Sequence, residues 1–403
     1  MRLIFAATLG LLATTALAAP PADRWNDKAR DLFSHVVEIP TVAGRGKVPD
    51  LARYLADEYK AAGWAEGDIQ ILPYEGEPGN PTAAFVARWR ADDPKQKPIL
   101  LMAHMDVVEA KAEDWSMDPF KFVEKDGYFY GRGTSDNKAG IVALTTALFR
   151  LKAEGFKPKR DIIVFFTGDE ETSGKGAELG ATEWRKWTDA EYALNSDGGG
   201  GGFAKDGHPL GFTMQTAEKT YSMYSFTVRN PGGHSSKPRP DNAIYQLAHA
   251  LERLEAYRFT PMLNETTRAY FSVREKSEKG PLGDAMRAWL KDPNDGKAAD
   301  FIEADPGEVG LTRTRCVATR LEGGHADNAL PQLARATVNC RIMPGTEPEA
   351  IREELERVVA DRQVKVERTD NEAMSLASPL RPDVVDAFTK SIRKRFPNAP
   401  VMP

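Results

Sequence analysis

The chain has 403 residues, 41% hydrophobic and 28% charged, which is enough for two domains with real cores and excludes a disordered polymer. Its net charge of −5 leaves no basic footprint and argues against nucleic acid as the main partner. Beyond the N-terminus, no stretch approaches the ~20 apolar residues of a membrane span.

The chain opens with "MRLIFAATLGLLATTALAAP": a basic residue, a short apolar run, then small residues. Ala16-Leu17-Ala18 fits an A-x-A cleavage site, so 1–18 reads as a secretory signal peptide, with a membrane anchor as the alternative. The expected location is periplasmic or secreted, with no membrane association after cleavage.

Trp25, Ala29, Leu32, Phe33 and Val36 then repeat at helical spacing, and a second helix starts near Asp50. Strands are expected at 82–90 and 98–104, the second uniformly apolar as if covered on both faces. A short strand at 127–133 precedes a helix at 138–155, which Gly155 ends. The strand "DIIVFF" (161–166), a helix through "AELGATEWRKW" and a strand at 190–196 follow. This alternation predicts an α/β fold with a mostly parallel central sheet flanked by helices.

The texture changes after "DGGGGGFAKDGHP". A strand at 221–228, a helix at 241–256, strands near 315–321 and 335–342, a helix at 347–360 and a strand at 363–368 form an inserted α+β lid of the split βαβ kind. Residues 258–312 read as a polar insert without clear periodicity. The expected division is a catalytic domain over 19–216, a lid and dimerisation domain over 217–371, and a second catalytic part over 372–403 that reads as truncated.

Three apolar strands end in metal-type ligands. The first ends in His104-Met105-Asp106, the second in Glu170-Glu171, and the third in Asp197. Asp136 opens a helix within "GRGTSDNKAG". Open parallel sheets gather ligands at the carboxyl ends of their strands, so the four segments are expected to converge. Crowded carboxylates resist ionising unless a dication sits among them. One imidazole with several carboxylates suits zinc, with cobalt or manganese as substitutes.

The series "HMDVV", "GRGTSDNKAG", "TGDEETSG", "NSDGG" and "GGHSSKPRPDNAI" resembles the dizinc exopeptidases: aminoacylases, glutamate carboxypeptidase, di- and tripeptidases and carboxypeptidase S. The resemblance covers about 30–403. It implies two Zn2+ per full-length chain. His104 and Asp197 would hold one metal, Glu171 the other, and Asp136 would bridge them. Asp106 would orient His104, and Glu170 would be the general base. It also implies a cis peptide between Asp136 and Asn137. His234 would stabilise an oxyanion, often across a dimer, while Asn328 and Arg341 would hold a substrate carboxylate. The family adds a further histidine near its C-terminus. This chain has none after His325, so truncation is expected, with a degenerate second site as the alternative. His35, His208, His249 and His325 read as structural or surface residues.

The implied function is hydrolysis of an amide bond next to a free carboxylate in short peptides or N-acyl amino acids. The alternatives are an N-acyl amino acid deacetylase and a non-catalytic binding protein with a defective metal site. A homodimer through the lid is the expected assembly.

Cys316 and Cys340 have no CxxC spacing, so zinc is a weak reading for them. If the strands carrying them pair antiparallel with Ala318 opposite Val338, the same register sets Cys316 opposite Cys340. A disulfide is then expected in an oxidising compartment, with two buried thiols as the rival.

Overall fold

The computed structural model describes residues 24–403 and divides them at Asp197/Gly198 into two compact units. The segment read as a signal peptide lies outside the described residues.

The first unit begins with α1 (Arg24–Glu38) and α2 (Val48–Ala61), each burying one apolar face. Five strands form its sheet: β1 (Ile69–Glu75), β2 (Pro81–Trp89), β3 (Ile99–His104), β6 (Ile162–Thr167) and β7 (Tyr192–Asn195), in the order β1-β2-β6-β3-β7. β3 runs parallel to β6 and β7, and β2 runs antiparallel to β1 and β6, so four of the five strands share one direction. The hairpin β4–β5 (Val123–Lys125, Tyr128–Tyr130) precedes α3 (Lys138–Ala153). One face of the sheet packs on α1, α2 and α3 through residues such as Val36, Leu55, Phe85, Ile141 and Phe166. The other buries Leu100, Ile163 and Phe165 beneath Trp184 and Trp187. Coverage on both faces explains why β6 is buried at every position and apolar from Ile162 to Phe166. β1 was not anticipated, because Pro73 and mixed polarity interrupt its alternation. The single helix expected through 177–187 is instead α4 (Lys175–Ala181) and α5 (Arg185–Thr188), broken at Thr182, which leaves helical geometry.

In the second unit, β8 (Gly200–Phe203) and β9 (Pro209–Thr213) form a small sheet with β16 (Val401–Met402). The end of the chain therefore pairs with 209–213, a segment the sequence reading assigned to the catalytic part. The lid holds β10 (Thr220–Arg229), α6 (Ala243–Ala256), β12 (Arg315–Gly323), β14 (Leu333–Ile342), α10 (Pro348–Val359) and β15 (Val364–Arg368). Its sheet order is β12-β14-β10-β15 and every pairing is antiparallel. β10 and β12 thus run parallel with β14 between them, the split βαβ arrangement. A short arm pairs β11 (Gly233–His234) with β13 (Ala329–Leu330), and α11 (Pro382–Arg395) follows the lid.

The insert at 258–312 is not irregular. It forms α7 (Glu265–Ser277), α8 (Pro281–Lys291) and α9 (Gly296–Glu303) around Phe271, Met286, Trp289 and Ile302. Its helices start at an Asn264/Thr267 capping box, at Pro281 in a first turn and at the Asp295 cap. Those caps were legible, as was the stripe Leu282, Ala285, Met286 and Trp289 in α8; only α7, which buries Phe271 alone, is too polar for its face to read.

β12 and β14 pair Ala318 with Val338 and Cys316 with Cys340, and the two cysteines form a disulfide with Cα atoms 4.1 Å apart. Past Ala318 a bulge shifts the register.

Candidate metal centre

Strand alignment builds the site. His104 lies level with Thr167 at the ends of β3 and β6, and Ser196 N–H donates to the carbonyl of Met102 (3.0 Å), which places Asp197 beside them. Asp136 lies two residues before α3, next to its Asn137 cap, and the Asp136–Asn137 peptide is cis. The buried imidazole of His104 points its Nε2 at Asp136 Oδ1 (2.8 Å), Asp197 Oδ2 (3.5 Å) and Glu170 Oε2 (4.0 Å). Two overlapping donor sets result among the described residues, His104/Asp136/Glu171 and His104/Glu170/Asp197, with ligand atoms within 4.8 Å of one another in each. Glu170 therefore stands within ligand reach of the same centre.

Electrostatics marks the cluster as a cation site. Burial raises the pKa of Glu170, and the Asp197, Asp106 and Asp136 charges add to that against His104. Burial also raises Glu171, with Asp136 next. Burial pushes His104 down, but Asp106, Asp136 and Asp197 outweigh it and hold the ring at about 9. Mutual carboxylate repulsion around one imidazole is relieved by a bound dication, and nitrogen with oxygen donors suits zinc. The residues present thus fit the metals that the motif series implies.

The nearest acceptor to His104 Nδ1 is the main-chain oxygen of Asp106 (3.0 Å), and the Asp106 carboxylate is 3.4 Å away. That carboxylate is also engaged elsewhere: Oδ1 accepts from Glu170 N–H (3.1 Å) and Oδ2 from Glu171 N–H (2.9 Å).

Three residues support the site in roles that the sequence reading did not assign. Asp169 is buried and accepts from the hydroxyls of Tyr74 and Ser173 (both 2.6 Å). Asn137 is buried, with Ser196 Oγ 3.3 Å from its Oδ1. Lys138 is buried at the start of α3 and donates to the carbonyl of Ile39 (2.6 Å). Burial pushes its ammonium down to about 7, against the charge of Asp106. Asp169 and Lys138 adjoin motif residues, which was the available sequence cue; nothing local marked Tyr74.

The remaining candidates lie in the second unit. His234 is exposed, with Ser236 N–H (3.2 Å) and hydroxyl (2.8 Å) at Nδ1, so the neutral ring carries its proton on Nε2. Ser235 N–H donates to the Asn328 carbonyl (3.0 Å), so His234 and Asn328 share one arm. Arg341 lies elsewhere. It stacks over Tyr221, its partner on β10, at the opposite end of β14 from Leu333. Eight residues of strand between Leu333 and Arg341 amount to roughly 26 Å. His35 stacks on Tyr54, His208 contacts Asp206, and His249 contacts Glu252. His325 is exposed, and none of the four joins the cluster.

Residues 100–403 match the profile of peptidase family M20/M25/M40. The human N-fatty-acyl-amino acid synthase/hydrolase PM20D1 is 32% identical over 285 residues, covering 68% of this chain and 55% of that protein. Carboxypeptidase S of Saccharomyces cerevisiae is 31% identical over 274 residues, covering 63% of this chain and 46% of that protein. The chain thus spans about half the length of these relatives. The solved M20 family metallo-carboxypeptidase of Sulfolobus solfataricus shares the fold with TM-score 0.66 at 18% identity, covering 94% of this chain and 86% of that one. The di-peptidase Dug1p of Saccharomyces cerevisiae gives 0.62 at 17% identity, covering 94% and 84%. Ligand-bearing strand ends, a split βαβ lid and a profile match over three quarters of its length converge on one assignment: the chain is a member of peptidase family M20/M25/M40.

Proposed function

We propose that the protein is a metal-dependent amide hydrolase acting next to a free carboxylate, on short peptides or N-acyl amino acids. The observation that carries this reading is the convergence of His104 with Asp136, Glu170, Glu171 and Asp197 at the strand ends. The printed names of the relatives, a fatty-acyl-amino acid hydrolase and a carboxypeptidase, support the substrate class.

His104, Asp136, Glu171 and Asp197 would hold two zinc ions. Bound there, the metals would acidify a water and polarise the scissile carbonyl. Glu170, about half exposed, accepts the proton of the attacking water and passes it to the leaving amine as the C–N bond breaks. Asp106 and Asp169 hold the Glu170–Glu171 turn in place. Arg341 would grip the substrate carboxylate through paired N–H donors, and the Nε2–H of His234 would donate to the oxyanion.

The spacing along β14 supports a homodimer. Roughly 26 Å of strand separates Arg341 from Leu333, the end of β14 nearer in sequence to the His234/Asn328 arm, which favours two chains supplying these groups to one substrate. β12 is an edge strand with Val317 and Leu321 exposed, a natural surface for a second lid. Export is proposed from residues 1–18; no described helix is long and apolar enough to cross a membrane.

The test is Glu170→Gln, assayed on dipeptides and N-acyl amino acids with metal content measured in parallel. The expected result is retained metal and turnover lower by roughly 10²–10⁴-fold. Undiminished turnover reassigns the base, and no turnover in the wild type favours a binding protein.

A further inference from the structure

The turn that presents Glu170 and Glu171 is folded around the single carboxylate of Asp169. Oδ1 accepts from the Tyr74 hydroxyl (2.6 Å) and from Gly176 N–H (3.0 Å), while Oδ2 accepts from the Ser173 hydroxyl (2.6 Å). The Asp169 main-chain oxygen accepts from Gly174 N–H (2.8 Å) and Thr172 N–H (3.3 Å). The Tyr74 hydroxyl in turn accepts from Gly168 N–H (3.2 Å). Tyr74 belongs to β1, an edge strand of the sheet, 95 residues away in sequence.

The surrounding backbone makes room for this pair. A Cβ on Gly176 would stand 2.3 Å from the Tyr74 hydroxyl oxygen and 2.8 Å from Asp169 Oδ1. A Cβ on Gly76 would approach Asp169 Cβ to 3.1 Å, and one on Gly168 would meet the Ala83 carbonyl at 2.5 Å. The Tyr74 ring packs against Trp184 with centroids 5.3 Å apart.

We infer that Tyr74 is a positioning residue for the Glu170–Glu171 pair, acting through Asp169. This rests on the reading of that pair as part of a metal-dependent hydrolytic site. Asp106 holds the Glu170 and Glu171 N–H groups from one side, and the Tyr74–Asp169 bond fixes the same turn from behind. Burial, then the hydrogen bond and charge of Asp169, raises the phenol pKa, so the hydroxyl remains a donor over the working range. Removing that hydroxyl strips one donor from a buried carboxylate and leaves the Gly168 N–H unpaired. The turn then loosens, and the spacing of Glu171 from Asp136 and of Glu170 from His104 is no longer fixed. Partners one shell behind metal ligands commonly contribute 10–100-fold (an order-of-magnitude range) to affinity or activity.

The test compares wild type, Tyr74→Phe, Asp169→Asn and the double variant, with Tyr74→Phe chosen because it keeps the ring against Trp184. Amide hydrogen exchange is measured on the metal-free protein, and Co2+ binding is followed by visible absorption. Tyr74→Phe is expected to speed exchange at the Glu170 and Glu171 amides by about tenfold or more, leaving those of β3 and β6 unchanged. It is expected to weaken Co2+ binding by about 10–100-fold with the thermal midpoint nearly retained. The double variant is expected to be no worse than Asp169→Asn, since the two act through one link. Unchanged protection at Glu170 and Glu171, or losses that add in the double variant, overturns the assignment. Absence of amide hydrolysis by the wild type would sink the hydrolase reading alone, because the exchange measurement needs neither metal nor substrate.

Discussion

The Asp106 carboxylate accepts the main-chain N–H of Glu171 at 2.9 Å, joining the segment after β3 to the turn after β6. Its other oxygen takes Glu170 N–H at 3.1 Å, and the same group lies 3.4 Å from His104 Nδ1. One side chain therefore sets the distance between the imidazole and both glutamates.

Asp106→Asn removes one acceptor and introduces a donor facing an N–H. The expected outcome is a metal affinity lower by about 10–100-fold, with the fold intact. Calorimetric titration with Zn2+ checks it; a wild-type affinity would show that the clamp is dispensable.

Gly140→Ala is expected to harm the site although alanine is the better helix former. In an exposed helix the change would gain about 1 kcal/mol. Here the new Cβ would stand 2.0 Å from Asn137 Oδ1 and 2.2 Å from Ser196 Oγ. Overpacking of this kind costs about 1–3 kcal/mol and displaces the residue next to Asp136. Thermal unfolding and metal titration should both fall; a gain in stability would show that Asn137 and Ser196 yield freely.

Replacing Cys316 and Cys340 by serine opens a bridge between residues 24 apart in sequence. The loop-entropy account predicts a loss of about 3 kcal/mol. Denaturant unfolding measures it, and thiol titration of the denatured, unreduced protein should find no free cysteine. Two titratable thiols per chain would refute the bridge.

Lys219 provides a pH test of the second unit. Burial lowers its pKa to about 8, with Glu303 opposing and Arg315 assisting, while its Nζ donates to the Arg313 carbonyl (2.6 Å). Between about 8 and the unfolded value of ~10.4, the unfolded chain binds more protons than the native one, so this contribution to stability rises with pH. It is lost as pH falls through about 8. Wild type should therefore gain stability relative to Lys219→Met between pH ~7 and ~10. A constant difference across that range would contradict the depressed pKa.

The sequence by itself determined the helix–strand alternation, the lid topology and the cluster residues. Each rests on a short-range property: apolar runs long enough for buried strands, and polar residues placed just past their ends. His104, Glu171 and Asp197 could be expected on one side because they follow parallel strands, while the part of Asp136 and the division of roles came from the resemblance to the dizinc exopeptidases. Tertiary structure alone decided what holds them. Tyr74 reaches Asp169 across 95 residues, which no local pattern encodes. Of the three helices of 265–303, α7 buries only Phe271 and was hidden by its polarity, whereas the stripe of α8 was present in the sequence. The separation of Arg341 from His234 and Asn328 follows from strand register: residues close in sequence are carried apart when an extended strand of about 3.3 Å per residue lies between them.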